Sequence, residues 1–222
     1  MTRSLRHIPR NAALLVVLLV LIILSPSASA DRAVWVLELL FDLVLLAGVY
    51  SVGAGRHRWS FLTLTVVTLA VRWGQHLSGI PSLDVGALLI TAVWLLYAVW
   101  IIIAHLFQRR DVTVDTILGA VVTYLLVAVA FTMIFQVIEI WHPGSFLGLP
   151  EHALDKQPDL ASSMMYFSLV CITTMGYGDI VPISSLARPL AVLEGVFGQL
   201  YLAVMIARLV GLHIARGHSR ED

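Results

Sequence analysis

At 222 residues the chain is 59% hydrophobic and 13% charged, with a mean hydropathy of +0.90. A water-soluble domain of that size cannot hide so much apolar surface, so lipid is the expected solvent. A formal net charge of zero leaves no electrostatic footprint for nucleic acid, and the single cysteine, Cys171, excludes an intrachain disulfide and a cysteine-based metal site.

Six apolar segments are measured against the roughly 20 residues that span a bilayer. The first, Ala12 to Leu24, follows Arg3, Arg6 and Arg10 and precedes Ala28-Ser29-Ala30. That pattern describes either a retained helix or a cleavable signal peptide. The second, Val34 to Val52, carries Glu38 and Asp42, whose i,i+4 spacing puts them on one face. The third, Trp59 to Val71, is short and ends at Arg72, which the rise per residue sets level with those carboxylates. A static ion-pair cluster of Glu38, Asp42 and Arg72 is expected; crowded carboxylates acting as a proton sensor are the alternative. The fourth, Val85 to Phe107, contains no Lys or Arg, only His105 near its inner end. Voltage sensing needs several charges in the field, each contributing about 2.3 kcal/mol per 100 mV, so this is not a conventional voltage sensor.

The fifth segment is Thr116 to Ile140 and the last Leu186 to Leu212. Between them, Leu160 to Thr173 is only about 14 residues long, too short to cross comfortably. Pro158-Asp159 reads as its start, with Asp159 as N-cap. A half-helix that enters, turns and leaves on the same side fits, because irregular backbone at membrane depth must be buried by protein or line a watery cavity. Arginines cluster at Arg3/Arg6/Arg10, Arg56/Arg58, Arg109/Arg110 and Arg208/Arg216/Arg220, against scattered Arg32, Arg72, Lys156 and Arg188. The positive-inside rule then puts both termini in the cytoplasm and makes Trp141 to Pro158 an outer turret. His76, His142, His152, His213 and His218 fall in predicted loops or tails without metal spacing.

Thr173-Thr174-Met175-Gly176-Tyr177-Gly178-Asp179 follows the short helix. Two glycines let alternate residues take left-handed angles, so that successive carbonyls face one axis. Carbonyls from several chains can then replace the water around a cation. Thr174 adds a hydroxyl at the inner end, and Tyr177 can brace the loop from behind. The segment resembles the signature filter of tetrameric potassium channels, with Met175 where Val or Ile is usual. With Pro182 and a glycine-bearing final helix, the resemblance to the two-helix pore module covers Asp115 to Leu212.

The resemblance implies an all-α transmembrane fold with six helices per chain, the last two joining a re-entrant pore helix and filter loop in a tetrameric pore. Residues 1–110 would form a four-helix domain lacking gating charges, and 111–222 the pore domain. It also implies a homotetramer in the inner (plasma) membrane that conducts K+ passively, with no catalysis and no cofactor or metal beyond the permeating K+. Coordination falls to Thr174, Met175, Gly176, Tyr177 and Gly178, with support from Asp179, Tyr166 and Thr173. Gly198, or Gly195 one turn earlier, is a gating hinge or a packing residue. What opens the pore is not legible.

Two departures stand out. Tyr166-Phe167 occupies the place of two tryptophans found in many members, and Val170 stands where some carry a Glu that pairs with the filter aspartate. Asp179 is therefore expected to be held by Tyr166 alone. Glu194 and Gln199, polar residues in the last helix, either bond to the pore helix or face the cavity. A nonselective cation channel is the nearest rival, although the intact Gly176-Tyr177-Gly178-Asp179 argues against it. A Gly-x-Gly-Asp intramembrane aspartyl protease, with Asp42 as second acid, would need both aspartates facing each other within helices.

Overall fold

The structure, a computed structural model of one chain, describes residues 10–25, 31–52, 57–78, 81–108, 113–150, 153 and 157–218. Among these lie seven helices: α1 (Arg10–Leu24), α2 (Asp31–Val52), α3 (Arg58–Ser78), α4 (Pro81–Gln108), α5 (Val114–Trp141), α6 (Gln157–Ile172) and α7 (Ala187–His218). The chain is an all-α transmembrane protein. Among the described residues, Asp84–Gln108 of α4, all of α5 and Ala187–Leu212 of α7 are long and apolar enough to cross a membrane, whereas α1 and α6 are shorter apolar helices.

Helix α5 is the hub, packed against α1, α4, α6 and α7. It starts with a capping box: the Thr113 hydroxyl accepts from the Thr116 N–H at 3.2 Å, and Thr116 Oγ1 accepts from the Thr113 N–H at 3.4 Å. Asp115 in its first turn ties down α1, because its carboxylate accepts from the Asn11 N–H at 3.1 Å and its carbonyl from Asn11 Nδ2 at 3.0 Å. The core then joins Leu14 and Leu18 of α1, Leu45 of α2, Phe61 of α3, Trp94 and Leu95 of α4, and Leu126 and Phe135 of α5. Threonines inside these helices bond to the carbonyl four residues back, as Thr68 does to Leu64, Thr91 to Ala87 and Thr132 to Ala128. No hydroxyl among them faces lipid unpaired, as a medium without water requires.

Several expected boundaries are corrected. Helix α3 runs to Ser78, so Arg72 lies inside it and His76 belongs to helical backbone instead of a loop. Helix α7 runs to His218, so His213 and His218 are not in a tail. Hydropathy falls at the first charged residues, but helical hydrogen bonding does not stop there. Asp159 is not the N-cap of α6. That helix begins at Gln157 and holds Asp159 in its first turn, where the carboxylate still meets the positive end of the dipole. His152, Ala28-Ser29-Ala30 and the charges at Arg3, Arg6, Arg56, Arg109, Arg110, Lys156 and Arg220 lie outside the described residues.

Candidate functional site

The site begins with how α6 is anchored. Phe167 is buried, its ring edge-on to Phe135 at 5.1 Å and to Phe146 at 5.2 Å, while Leu160 and Met164 fill the same core. Of the Tyr166-Phe167 pair, one residue thus packs inward and the other, Tyr166, is exposed. The last carbonyls of a helix have no partner within it. Here each finds one. Leu169 accepts from the Thr173 N–H at 3.1 Å, Val170 from Met175 at 3.0 Å and Cys171 from Thr174 at 3.0 Å. The Ile172 carbonyl takes the Tyr124 hydroxyl at 2.6 Å. These bonds fix the base of the loop that follows.

Along that loop Thr174, Gly176 and Gly178 have φ of +58°, +58° and +77°. Left-handed residues at every second position turn successive carbonyls toward one side. Sequence reasoning gave this conformation to the glycines and missed Thr174, the one non-glycine among the described residues with positive φ. The signal was the step of two back from Gly178 and Gly176. Such a backbone costs on the order of 1–3 kcal/mol at a non-glycine residue and persists only where its surroundings enforce it. Residues 173–179 are all exposed in the single chain, Met175 at 61% and Tyr177 at 66%.

At the far end of the loop the Tyr166 hydroxyl donates to Asp179 Oδ2 at 2.7 Å, and the Tyr166 and Tyr177 rings stack with centroids 6.4 Å apart. This bond holds the Asp179 carboxyl below the usual carboxylate range. Two further residues shape this end and were not singled out from sequence. Glu139 is buried, with Oε1 accepting from the Gly144 N–H at 2.7 Å and Oε2 from the Phe146 N–H at 3.1 Å. It thereby shapes a turret in which β1 (Phe146–Leu147) pairs antiparallel with β2 (Val181–Pro182) just past the loop. At Gly148, φ is +92° and a Cβ would run into the Asp179 carbonyl. An acid at a helix end before Trp141-His142-Pro143-Gly144 was the available signal for Glu139; Gly148 gave none.

Helix α7 meets this assembly at a few points. Glu194 is fully buried and paired with the Ser168 hydroxyl, which also lies 2.7 Å from the Ala128 carbonyl. Ser168 of α6 thereby links Glu194 to the Ala128 carbonyl of α5, which is the bond to the short helix expected as one of the two alternatives for Glu194. Gly198 is buried, and a Cβ there would run into the Ile172 carbonyl; at Gly195 the nearest atom to such a Cβ is the Cys171 carbonyl oxygen at 3.6 Å. Gln199 Nε2 donates to Thr174 Oγ1 at 3.0 Å.

Away from the loop, Arg72 lies 3.6 Å from Glu38 and 3.4 Å from Asp42, its guanidinium 4.6 Å from the Phe41 ring centroid. Trp73 Nε1 donates to Asp42 Oδ2 at 3.2 Å. A cavity of about 240 Å³ opens beside this cluster, reaching Gln136 of α5 and Met165 of α6. Asp42 and Asp179 thus have separate partners and do not face each other, which removes the protease geometry. Among the described residues no group of His, Cys, Asp and Glu could hold a metal ion.

A short helix, a loop of alternating handedness and a closing apolar helix form one continuous unit after α5. The family model described as "Ion channel" matches residues 119–213, from within α5 into the last part of α7. Over this segment, which is less than half of the chain, the sequence is similar to that ion-channel family. Protein LctB of Bacillus caldotenax is 26% identical over 126 residues, 57% of this chain and 90% of that protein. The inward rectifier potassium channel Kirbac3.1 of Paramagnetospirillum magnetotacticum is 36% identical over 83 residues, 37% of this chain and 23% of that protein. Protein LctB of Geobacillus stearothermophilus is 24% identical over 107 residues, 48% of this chain and 79% of that protein. No solved structure gives a match.

Proposed function

We propose that four copies of the chain surround one axis and conduct K+ passively, with residues 111–222 as the pore domain and 1–110 as a four-helix domain lacking gating charges. The observation that carries this reading is the left-handed alternation at Thr174, Gly176 and Gly178 beyond the carboxyl end of α6. Carbonyls of Thr174, Met175, Gly176, Tyr177 and Gly178 turned to one side replace the hydration shell of a K+ when several such loops form a ring. Each chain supplies one loop, so the ring needs several copies. The exposed surface of residues 173–179 is where neighbouring loops would fit. The negative end of the α6 dipole favours a cation at the loop's base.

In this reading Thr173, Tyr166 and Asp179 brace the loop, while Gly198 and Gly195 give close helix packing. Glu38, Asp42 and Arg72 act as a static lock between α2 and α3. The pore needs no cofactor beyond the permeating K+. Arginine distribution supports the inner (plasma) membrane with both termini in the cytoplasm. The relative named as a potassium channel supports the choice of ion.

The test is current through purified protein in planar bilayers with K+ on one side and Na+ on the other. A reversal potential near the K+ equilibrium value is expected, lost in Gly178→Ala because alanine resists the left-handed angle. A reversal potential near zero would leave an ion channel that does not select, and would overturn the potassium assignment.

A further inference from the structure

Helix α7 reaches the base of the loop through one polar group. Gln199 Nε2 donates to Thr174 Oγ1 at 3.0 Å. The residue before it, Gly198, has no side chain to strike the Ile172 carbonyl, so α7 closes on the end of α6 at this level. That approach brings the amide of Gln199 within reach of the loop. Thr174 sits at φ +58°, a conformation its branched side chain resists. Its hydroxyl offers one hydrogen and two lone pairs. A donor fixed on one lone pair limits the rotor and leaves the other for a cation at the inner end.

We propose that Gln199 is the positioning residue of the innermost cation site, acting through the Thr174 hydroxyl, and that Gly198 seats it by letting α7 close on Ile172. This rests on the reading of residues 174–178 as a cation-binding loop. Gln199 does not coordinate the ion. It sets how the Thr174 oxygen is presented, and with it the affinity of the site where an ion arriving from the cavity first sheds water. Gly198 then serves α7 as a docking point, the packing role that was one of its two expected ones.

The experiment uses the full chain, purified in detergent, and measures the K+ concentration that gives half-maximal protection against thermal dissociation of the assembly. Replacing the amide by a side chain of similar length, Gln199→Met, should raise that concentration about tenfold, the size of one lost hydrogen bond at a site. The melting temperature in saturating K+ should not move. In Thr174→Val, which has no hydroxyl to orient, adding Gln199→Met should shift nothing further, and this non-additivity is what a merely structural glutamine would not produce. Gln199→Leu serves if the methionine variant does not assemble.

An unchanged K+ midpoint in an assembled variant, or full additivity with Thr174→Val, overturns the role of Gln199 alone. Wild-type protein protected by neither K+ nor Na+ overturns the cation-binding loop and this proposal with it. Equal protection by K+ and Na+ overturns selectivity only, because the Gln199 shift is read in the same titration.

Discussion

The two long helices that flank α6, α5 and α7, are both apolar enough to cross a membrane but are covered very differently. Within the chain 67% of the α5 window is buried, against 22% for α7. Helix α5 packs against α1, α4, α6 and α7, and Leu126, Val129 and Phe135 are enclosed. Helix α7 leaves Val192, Val196, Leu200, Val204, Ile206 and Val210 bare. A helix apolar all round is stable only when something apolar covers it. For α7 that cover must come from lipid or further copies, so the chain folds around α5 and, in the proposed reading, works through α7. Besides Ala187, Tyr201 and Met205 in the core, α7 is held within the chain by a short series of polar contacts: Glu194 to Ser168, Gln199 to Thr174, the Tyr201 hydroxyl to the Ala120 carbonyl at 2.9 Å, and Arg208 to the Leu106 carbonyl. Damage to α5 should therefore appear as lost stability, and damage to these contacts as altered conduction.

The largest effect is expected in α5. Phe135→Ala removes a ring that touches both Phe146 and Phe167, and should destabilise the folded protein by about 3–5 kcal/mol. Thermal unfolding of the solubilised protein measures it, and an unchanged melting temperature would break the comparison at its stronger end. Gly148→Ala comes next. It forces a side chain at φ +92° onto the Asp179 carbonyl, a strain of roughly 1–3 kcal/mol placed at the mouth of the loop. Single-channel records should show shortened openings with little loss of folded protein.

Glu194 sharpens the comparison further, because it is the one acid buried in α7. Glu194→Gln keeps an oxygen to accept from the Ser168 hydroxyl and should change stability by less than about 1 kcal/mol. Glu194→Ala leaves the Ser168 link unmade and should cost about 1–3 kcal/mol. If the glutamine variant is as damaged as the alanine one, an oxygen that accepts from Ser168 is not enough and a charge is required there.

How much of this was visible beforehand follows from the range of each interaction. The long apolar helices were legible because a spanning segment must satisfy its own backbone, which leaves hydropathy as the guide. The ends of α3 and α7 were not, because polar residues such as Gln75 continue a helix once it has started. Gly176 and Gly178 announced the loop, but Thr174 joined the alternation only through contacts with Cys171 and Gln199 that its own side chain does not advertise. Glu38, Asp42 and Arg72 were legible as a cluster because helical spacing and rise fix their levels. Gly148 was invisible: its need for glycine comes from Asp179, which only folding brings beside it.

The smallest expected effect lies at Tyr166, and it is best read through pH. The tyrosine hydroxyl favours ionised Asp179, so the folded carboxyl is depressed below its ordinary value of 3.8. A depressed carboxylate contributes stability that is present above its ordinary value and lost as pH falls through the folded one. Tyr166→Phe removes the donor while leaving a ring to stack on Tyr177 at 6.4 Å, so Asp179 should take up its proton at a higher pH than in the wild type. At neutral pH both proteins keep an ionised Asp179, and only open-state lifetime should differ, modestly, because the exposed bond is screened. Titrating the outer bath toward acid should separate them, with loss of current beginning at higher pH in the variant. Coincident acid profiles would mean that Asp179 is held by the backbone N–H groups of Asp179 and Ile180, and that Val170 leaves no gap for Tyr166 to fill.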